Sequence, residues 1–280
     1  MAKPSQLAVF GNPIEHSRSP EIHAAFAEQA GMQLFYSRIL VPEDEFESTV
    51  TDFFDAGGLG CNVTVPCKGD AWKFVDEATG DAELAQAVNT ISRREDGRLK
   101  GDNTDGPGLV SDLKKNLGWP LKDRRVLVLG AGGAVRGVLS SLLKEAPVQV
   151  HLYNRTHATA VELVDRFSQI DAQPSRVSAV EKAELADGYD VIINGTSAGL
   201  ADQRIDLPAN IVKRDSHCYD MVYGRKAQAF LNWAQAHGAG ATSDGLGMLV
   251  EQAALSFQIW FGHEVNTAPV IQMLRESEFS

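Results

Sequence analysis

Residues 125–134, Arg-Val-Leu-Val-Leu-Gly-Ala-Gly-Gly-Ala, form the stretch that decides the fold. The apolar run predicts a buried strand, and the glycines after it predict a tight turn into a helix. A glycine turn at the carboxyl end of a strand lets backbone N–H groups approach a pyrophosphate, whose negative charge the helix N-terminus favours. Val135 stands at the third glycine position of G-x-G-x-x-G, so a tight turn without a ligand is the alternative interpretation.

The segments after this turn continue the alternation of strand and helix. Apolar runs at 148–153, 191–194 and 218–221 predict strands, and the stretch 158–167 predicts a helix. This alternation is typical of a mononucleotide-binding fold. We therefore predict an α/β protein with a Rossmann-like domain at residues 107–244.

The end of the second strand of this domain indicates which dinucleotide would bind. NAD sites usually carry Asp or Glu here for the ribose hydroxyls, whereas this strand ends Tyr153-Asn154-Arg155-Thr156. Arg155 offers planar donors for a 2′-phosphate, and Thr156 adds a hydroxyl. The residues favour NADP over NAD, with a merely solvated Arg155 as the alternative.

The first hundred residues predict another α/β layer. Apolar runs at 7–10, 35–41 and 60–65 predict strands. Helices are expected to begin at Pro20, Pro42 and Cys67. Strands that alternate with helices form parallel sheets, so we expect these three strands to be parallel neighbours.

Two further patterns complete this first domain. An Asp-Gly turn at 96–97 predicts a hairpin between 88–92 and 98–100. After Asp244 the chain is expected to be helical, with helices that pack on the first domain. We place that domain at residues 1–106 plus 245–280.

A second stretch, Asn-Val-Thr-Val-Pro-Cys-Lys at 62–68, combines a strand end with polar groups. Its alternation is expected to place Val63 and Val65 on one face and Asn62 and Thr64 on the other. Buried amide and hydroxyl groups need hydrogen-bond partners, so the polar face is expected to line a cleft. The lysine that ends the stretch is expected to meet a carboxylate from residues 101–106.

Composition limits the class of protein. The 280 residues are 44% apolar, which is enough for two cores, and carry a formal net charge of −11 from 26 basic and 37 acidic residues. Without a basic cluster, nucleic acid and anionic membranes are not expected as partners.

The cysteines and the N-terminus indicate the cellular compartment. Cys61, Cys67 and Cys218 suggest neither a disulfide framework nor a metal cage, and the N-terminal apolar run is too short for a signal peptide. We expect a cytoplasmic protein.

The motifs together resemble the shikimate dehydrogenase family from end to end. The matching segments are HSRSP at 16–20, NVTVPCK at 62–68, AVNT at 87–90, GDNTD at 101–105, GAGGA at 130–134, NRT at 154–156, YDMVY at 219–223 and DGLGM at 244–248. Their order and spacing agree with the family, which makes the resemblance far more specific than the glycine turn. It implies that NADPH reversibly reduces 3-dehydroshikimate to shikimate, a step of aromatic amino acid biosynthesis.

The resemblance implies a catalytic role for two residues. Lys68 matches the lysine that donates a proton to the carbonyl oxygen, or accepts it in the oxidation direction. Asp105 matches the carboxylate that holds this amine. Taken singly, a lysine after a strand is usually solvated, and an aspartate before a helix is usually an N-cap.

The resemblance also implies the binding residues. The substrate, a ring with one carboxylate and several hydroxyls, would be bound by Ser17, Ser19, Asn62, Thr64, Asn89, Tyr223 and Gln252. Ser19 before Pro20 is also a good N-cap, and Gln252 is expected on an apolar helical stripe with Met248, Leu255 and Ile259. NADP would be bound by Gly130, Ala131, Gly132, Gly133, Ala134, Asn154, Arg155, Thr156, Thr196, Met221, Gly245 and Met248.

The sequence departs from the family pattern at two positions, and two alternative functions are open. Some relatives carry a second basic residue shortly after Asn-Arg-Thr, where this chain has Thr159, and Gly80 stands where relatives often have an acidic residue. The first alternative is a quinate/shikimate dehydrogenase that uses NAD. The second is a non-catalytic nucleotide-binding sensor, which retention of Lys68 and Asp105 disfavours. No metal is expected, and the protein is expected to be a monomer or homodimer.

Overall fold

The computed structural model describes residues 4–168, 176–196 and 206–278. The chain divides into two compact units, Met1–Gly108 with Leu249–Ser280, and Leu109–Met248. The sequence placed the boundaries after residues 106 and 244.

Strands and helices alternate along both units. The strands of the described ranges are β1 (Ser5–Gly11), β2 (Leu34–Leu40), β3 (Gly60–Val63), β4 (Glu77–Ala78), β5 (Thr90–Arg93), β6 (Leu99–Asp102), β7 (Arg125–Leu129), β8 (Gln149–Tyr153), β9 (Val177–Ala179), β10 (Tyr189–Asn194), β11 (Val212–Asp220) and β12 (Ala241–Ser243). The α-helices are α1 (Ser19–Gln29), α2 (Phe46–Asp55), α3 (Lys68–Phe74), α4 (Gly80–Ala85), α5 (Asp105–Ser111), α6 (Gly133–Lys144), α7 (His157–Ser168), α8 (Gln228–Ala236), α9 (Leu246–Phe261) and α10 (Ala268–Glu278). None of these helices combines the length and apolarity needed to cross a bilayer.

The first unit is built on a mixed sheet with the order β2-β1-β3-β5-β6-β4. Strand β1 pairs in parallel with β2 and β3, which confirms the predicted parallel layer. Strands β5 and β6 form the predicted antiparallel hairpin. Strands β3 and β6 run in the same direction on either side of β5, and their carboxyl ends lead into α3 and α5. The two helices therefore begin at the same edge of the sheet.

The second unit is built on a six-stranded parallel sheet with the order β12-β11-β10-β7-β8-β9. Counted from β7, this is the 3-2-1-4-5-6 order of dinucleotide-binding folds, with the reversal of strand order between β7 and β10. Ligands of such sheets bind outside the carboxyl ends of the strands at this reversal. The order confirms the predicted Rossmann-like domain.

Each sheet has an apolar core of its own. In the first unit, Phe10 of β1 and Ile91 of β5 belong to one cluster with Phe54 of α2. In the second unit, Ile192 and Phe230 belong to a separate cluster.

Three local predictions were wrong. Strand β3 ends at Val63, so Val65 does not share its face and is 68% exposed. Helix α2 begins at Phe46, four residues after Pro42, because a turn intervenes. Ile259 is 38% exposed, so the apolar stripe expected around Gln252 does not extend that far.

Candidate active site

The first unit brings Lys68 and Asp105 together. Lys68 is the first residue of α3 and Asp105 the first residue of α5. The Lys68 Nζ donates to Asp105 Oδ2 at 2.5 Å, and the two side chains are 20% and 9% exposed. An ion pair this close and this shielded holds both groups in one geometry, with two further Nζ protons left on the lysine.

Asn89 fixes the other oxygen of Asp105. Its Nδ2 donates to Asp105 Oδ1 at 2.9 Å, and its Oδ1 accepts from the Thr104 backbone N–H at 2.8 Å. Because a backbone N–H can only donate, the orientation of the Asn89 amide is unambiguous. Both oxygens of Asp105 therefore accept hydrogen bonds, one from an amide and one from an amine.

A buried polar layer connects helix α9 to this pair. The Gln252 Oε1 lies 3.3 Å from Asn89 Nδ2, and the Ser256 hydroxyl lies 2.7 Å from Thr90 Oγ1. Thr104 Oγ1 lies within 3.5 Å of both Gln252 and Ser256. All of these groups are buried, so each needs the others as partners, and the layer fixes where Asn89 points.

Asn62 lies in the same network, with every amide position used by the protein. Its Oδ1 accepts from Tyr36 Oη at 2.7 Å and lies 3.2 Å from His23 Nε2. Its Nδ2 lies 3.0–3.1 Å from Asn89 O, Thr90 Oγ1 and Ser256 Oγ, which share its two N–H groups. Burial lowers the pKa of His23 to about 3, so this ring is neutral beside Asn62. A direct bond from Asn62 to a ligand stays a prediction.

The remaining residues predicted to bind the substrate differ in their hydrogen bonds. Ser17 Oγ lies 3.2 Å from Ser19 Oγ and accepts from the Ser19 backbone N–H. Ser19 is the first residue of α1, and Arg18 is the N-cap, so the expected capping role of Ser19 was wrong. The partly buried Thr64 makes no side-chain hydrogen bond to any described residue, which leaves its hydroxyl available. Tyr223 belongs to the second unit, where it precedes a 3₁₀ turn at Gly224–Ala227.

The glycine turn of the second unit follows β7 as predicted. Gly130 has φ +103°, and a Cβ there would lie 3.1 Å from the Gly195 carbonyl oxygen, so only glycine fits between these strand ends. Gly132 is the N-cap of α6, and no atom outside the turn lies within 4 Å of where its Cβ would be. Gly132, Gly133 and Ala134 are exposed, whereas Ala131 is buried. The turn presents an open backbone surface at the helix N-terminus, which fits a pyrophosphate.

The end of β8 fits an additional phosphate. Asn154 Nδ2 donates to the Thr156 carbonyl at 2.9 Å, which closes a short turn around Arg155. Arg155 and Thr156 are exposed, and Arg155 forms no ion pair with a residue of the described ranges. In a chain of net charge −11, a guanidinium that pairs with no acidic residue of those ranges, beside the glycine-turn strand, suits a dianionic group. The residues present therefore fit NADP.

The loops after β10, β11 and β12 are tied to one another. Asn194 Oδ1 accepts from the Thr196 hydroxyl at 2.7 Å, and its Nδ2 donates to Asp220 at 2.8 Å. The Met221 N–H donates to Asn194 O, and a Cβ on Gly245 would lie 2.4 Å from Met221 O. The predicted residues Thr196, Met221 and Gly245 thus form one rigid cluster, and the buried Met248 follows within the first turn of α9.

Sequence reasoning missed several members of both networks. In the first unit these are His23, Tyr36, Thr90, Asn103, Thr104 and Ser256; in the second they are Asn194, Asp220 and Asp244. Ser256 had a usable signal, since it lies one helical turn after Gln252 and faces the same way. Tyr36 and His23 had none, because their shared partner Asn62 is distant in sequence.

Family models match three segments of the chain. Residues 9–91 match the shikimate dehydrogenase substrate binding domain, residues 112–206 match shikimate / quinate 5-dehydrogenase, and residues 245–275 match the shikimate 5′-dehydrogenase C-terminal domain. A protein of Alkalilimnicola ehrlichii named shikimate dehydrogenase (NADP(+)) is 56% identical over 96% of this chain and 98% of its own length. A protein of Thioalkalivibrio sulfidiphilus with the same name is 50% identical over 96% and 98%.

A solved structure has the same fold. The crystal structure of shikimate 5-dehydrogenase from Thermus thermophilus, in complex with NADP(H) and shikimate, has a TM-score of 0.86 at 33% identity and covers 97% of this chain and 99% of that chain. Sheet order, glycine turn and the paired amine and carboxylate define a two-domain α/β protein with a dinucleotide-binding unit. The identities over almost the whole length make the assignment specific. The chain belongs to the shikimate dehydrogenase family.

Proposed function

We propose that this protein catalyses the reversible NADPH-dependent reduction of 3-dehydroshikimate to shikimate. The observation that carries the proposal is the buried Lys68–Asp105 pair, with Asn89 fixing the second carboxylate oxygen. Relatives named shikimate dehydrogenase (NADP(+)) at 47–56% identity support the reaction and the cofactor.

Lys68 handles the proton of this reaction. As an ammonium it donates a proton to the carbonyl oxygen of the substrate, and as an amine it takes the proton back from shikimate. Asp105 keeps the amine at one position, since its Oδ1 is held by Asn89 and its Oδ2 by Lys68 itself. When bound, NADPH supplies the hydride for the ketone carbon. The glycine turn at 130–134 would hold its pyrophosphate and Arg155 its 2′-phosphate.

The substrate ring is bound by neutral donors. Ser17 and Ser19 would bind the carboxylate, assisted by Tyr223, while the free hydroxyl of Thr64 and the amides of Asn89 and Gln252 would meet ring hydroxyls. Asn62 uses its amide oxygen and nitrogen for hydrogen bonds within the protein. It would therefore act mainly by holding the neighbouring polar residues in position. The unit of residues 1–108 and 249–280 would be the substrate domain, and residues 109–248 the NADP domain.

Lys68→Ala tests the role of the amine. We expect kcat with shikimate and NADP to fall about 10²- to 10⁴-fold, because general acid–base catalysis contributes that much, while KM for shikimate changes less than about threefold. The matched control is Lys73→Ala, which removes a 71% exposed lysine from the same helix and should leave both constants unchanged. Formation of NADPH is followed by its absorbance. Near-normal kcat in Lys68→Ala would remove this lysine from the mechanism.

The same assay separates the alternatives. Turnover of quinate with NAD at rates like those of shikimate with NADP would favour a quinate/shikimate dehydrogenase. Binding of NADP without any turnover of shikimate would favour a nucleotide-binding sensor. Neither is favoured by the relatives, which carry the NADP-dependent name.

We also propose a cytoplasmic location, as a monomer or homodimer. Cys61, Cys67 and Cys218 are all buried and unpaired. Free buried thiols are typical of proteins in a reducing compartment.

A further inference from the structure

Arg136 lies near the start of the helix that follows the glycine turn. It is a partly buried residue of α6, and the N-cap of this helix is Gly132. One terminal nitrogen of its guanidinium lies 3.7 Å from the position that a Cβ would occupy on Gly133. Helical side chains point back towards the N-terminus of their helix and cover the preceding turn. The Arg136 guanidinium therefore lies beside the open backbone at the beginning of α6.

This guanidinium has donors that the protein leaves unused. The Nε of Arg136 is buried and has no hydrogen-bond partner in the described part of the chain. Within residues 4–168, 176–196 and 206–278, no carboxylate forms an ion pair with Arg136. The chain has 37 acidic and 26 basic residues, so this is not caused by a shortage of acids. Because buried donors normally have acceptors, the structure indicates an acceptor that comes from a ligand.

The position of the charge is unfavourable for the helix alone. The N-terminus of a helix carries a partial positive charge, which favours acidic side chains and disfavours basic ones. The first turn of α6 contains no acidic residue, and Lys144, its other basic residue, lies in the last turn, where a positive charge is favoured. Arg136 therefore adds a positive charge at the end of the helix that is already positive. An anion bound there would be attracted by both.

We propose that Arg136 is a further cofactor-binding residue, whose guanidinium binds the pyrophosphate at the N-terminus of α6. The planar donors of an arginine suit phosphate oxygens, and the helix N-terminus after a glycine turn is where such folds place the pyrophosphate. The pyrophosphate is common to NADP and NAD, whereas the 2′-phosphate assigned to Arg155 belongs to NADP alone. Arg136 therefore contributes affinity for either dinucleotide, and Arg155 contributes selectivity between them. This inference rests on the proposed function only for the identity of the dinucleotide.

The test compares the dissociation constants of NADP and NAD, each measured by isothermal titration calorimetry without substrate. Arg136→Gln removes the charge, and we expect it to raise both constants at least about tenfold, the effect of losing a hydrogen bond to a charged group. Arg155→Gln should raise the constant for NADP by a similar factor and the constant for NAD less than about twofold. Arg136→Lys should bind both dinucleotides more tightly than Arg136→Gln, because a lysine still binds phosphate as a point charge.

The melting temperature of the ligand-free protein is an independent measurement. Arg136→Gln should melt about 1–4 °C above the wild type, because it removes a positive charge from the helix N-terminus. The matched control is Lys144→Gln, which removes the other basic residue of α6 from the end where it is favoured. This control should melt below the wild type and leave both dissociation constants unchanged.

Three outcomes would overturn the inference. Unchanged binding of both dinucleotides by Arg136→Gln would show that the pyrophosphate does not contact this residue, and weaker binding of NADP alone would place Arg136 at the 2′-phosphate. A lower melting temperature, with shikimate bound as weakly as the dinucleotides, would show that Arg136 acts through folding. A wild-type protein that binds both dinucleotides but does not oxidise shikimate would instead overturn the proposed function.

Discussion

Asp220 is a fully buried carboxylate of the second unit, and its ionisation depends strongly on its surroundings. Burial raises its pKa to about 6, and the negative charge of Asp244 acts in the same direction. Hydrogen bonds from the Val222 N–H and the Asn194 amide act the other way, because they favour the charged form. The acid at this position therefore titrates in a pH range where most aspartates are already ionised.

A raised pKa has a definite sign in the free energy of unfolding. Below pH 3.8, the ordinary value, Asp220 is protonated in both states; between 3.8 and about 6 the unfolded chain ionises first, so its contribution to stability falls as pH rises. Relative to Asp220→Asn, the free energy of unfolding of the wild type should decrease by about 2 to 3 kcal/mol from about pH 4 to about pH 7. Urea unfolding of both proteins at each pH measures this difference. A difference that does not change with pH would place the pKa of Asp220 at its ordinary value.

At the residue scale the sequence predicted single chemical groups better than their partners. Lys68, Asp105 and Asn89 stand in short motifs, and the structure joins all three. Tyr36 escaped notice because nothing near it in sequence marks it as polar and paired. Its partner Asn62 lies 26 residues away, on a strand that is not its neighbour in the sheet.

Among the elements, the glycine turn between β7 and α6 contains two glycines, Gly130 and Gly133, that are needed for different reasons. Gly130 has positive φ, and its Cβ would meet a backbone oxygen that cannot move aside. Gly133 opens the helix, and its Cβ would meet only a distant atom of Arg136, at 3.7 Å. The first glycine is thus required by the fold, whereas the second is required only if a ligand lies against it.

Alanine at these two positions should separate folding from binding. Gly130→Ala should destabilise the protein by about 1–3 kcal/mol, the usual cost of a non-glycine residue in a strained backbone conformation. Gly133→Ala should keep or slightly raise stability, because alanine is the better helix former, and yet raise KM for NADP by at least about tenfold through lost phosphate contact. Thermal unfolding and initial rates measure the two effects. Normal NADP binding by a stable Gly133→Ala protein would show that the pyrophosphate does not lie on this turn.

Elements with a strong local signal were predictable, and short or interrupted ones were not. Strand β7 and helix α6 followed from an apolar run and glycines that are contiguous in sequence. The two- and three-residue strands β4, β9 and β12 were missed, because so few residues show no period. Helix α2 was expected too early, since Pro42 favours a turn as readily as a helix start.

The molecule as a whole places most residues assigned to the substrate in one unit and the residues assigned to NADP in the other, with Tyr223 of the second unit as the exception. Lys68, Asp105, Asn89 and Gln252 lie in the unit of residues 1–108 and 249–280, whereas the glycine turn and Arg155 lie in residues 109–248. The network of the first set includes a hydrogen bond between Asn62 and Ser256, which are 194 residues apart in sequence. No local sequence pattern could reveal this contact. The second set depends on one parallel sheet, whose class the alternation of strands and helices predicted, although its strand order comes from the structure.

This separation predicts that each ligand protects its own unit from hydrogen exchange. Shikimate alone should slow amide exchange around Asn62, Asn89 and Asp105 and leave residues 125–168 unchanged, because each unit has its own core and its own binding groups. NADP alone should slow exchange in residues 125–168. In Arg155→Ala the loss of a charged contact should lower the affinity for NADP at least about tenfold, so protection by NADP should require a correspondingly higher NADP concentration. Protection by shikimate should stay as in the wild type. Exchange in residues 125–168 that slows with shikimate alone would show that the units do not bind their ligands independently.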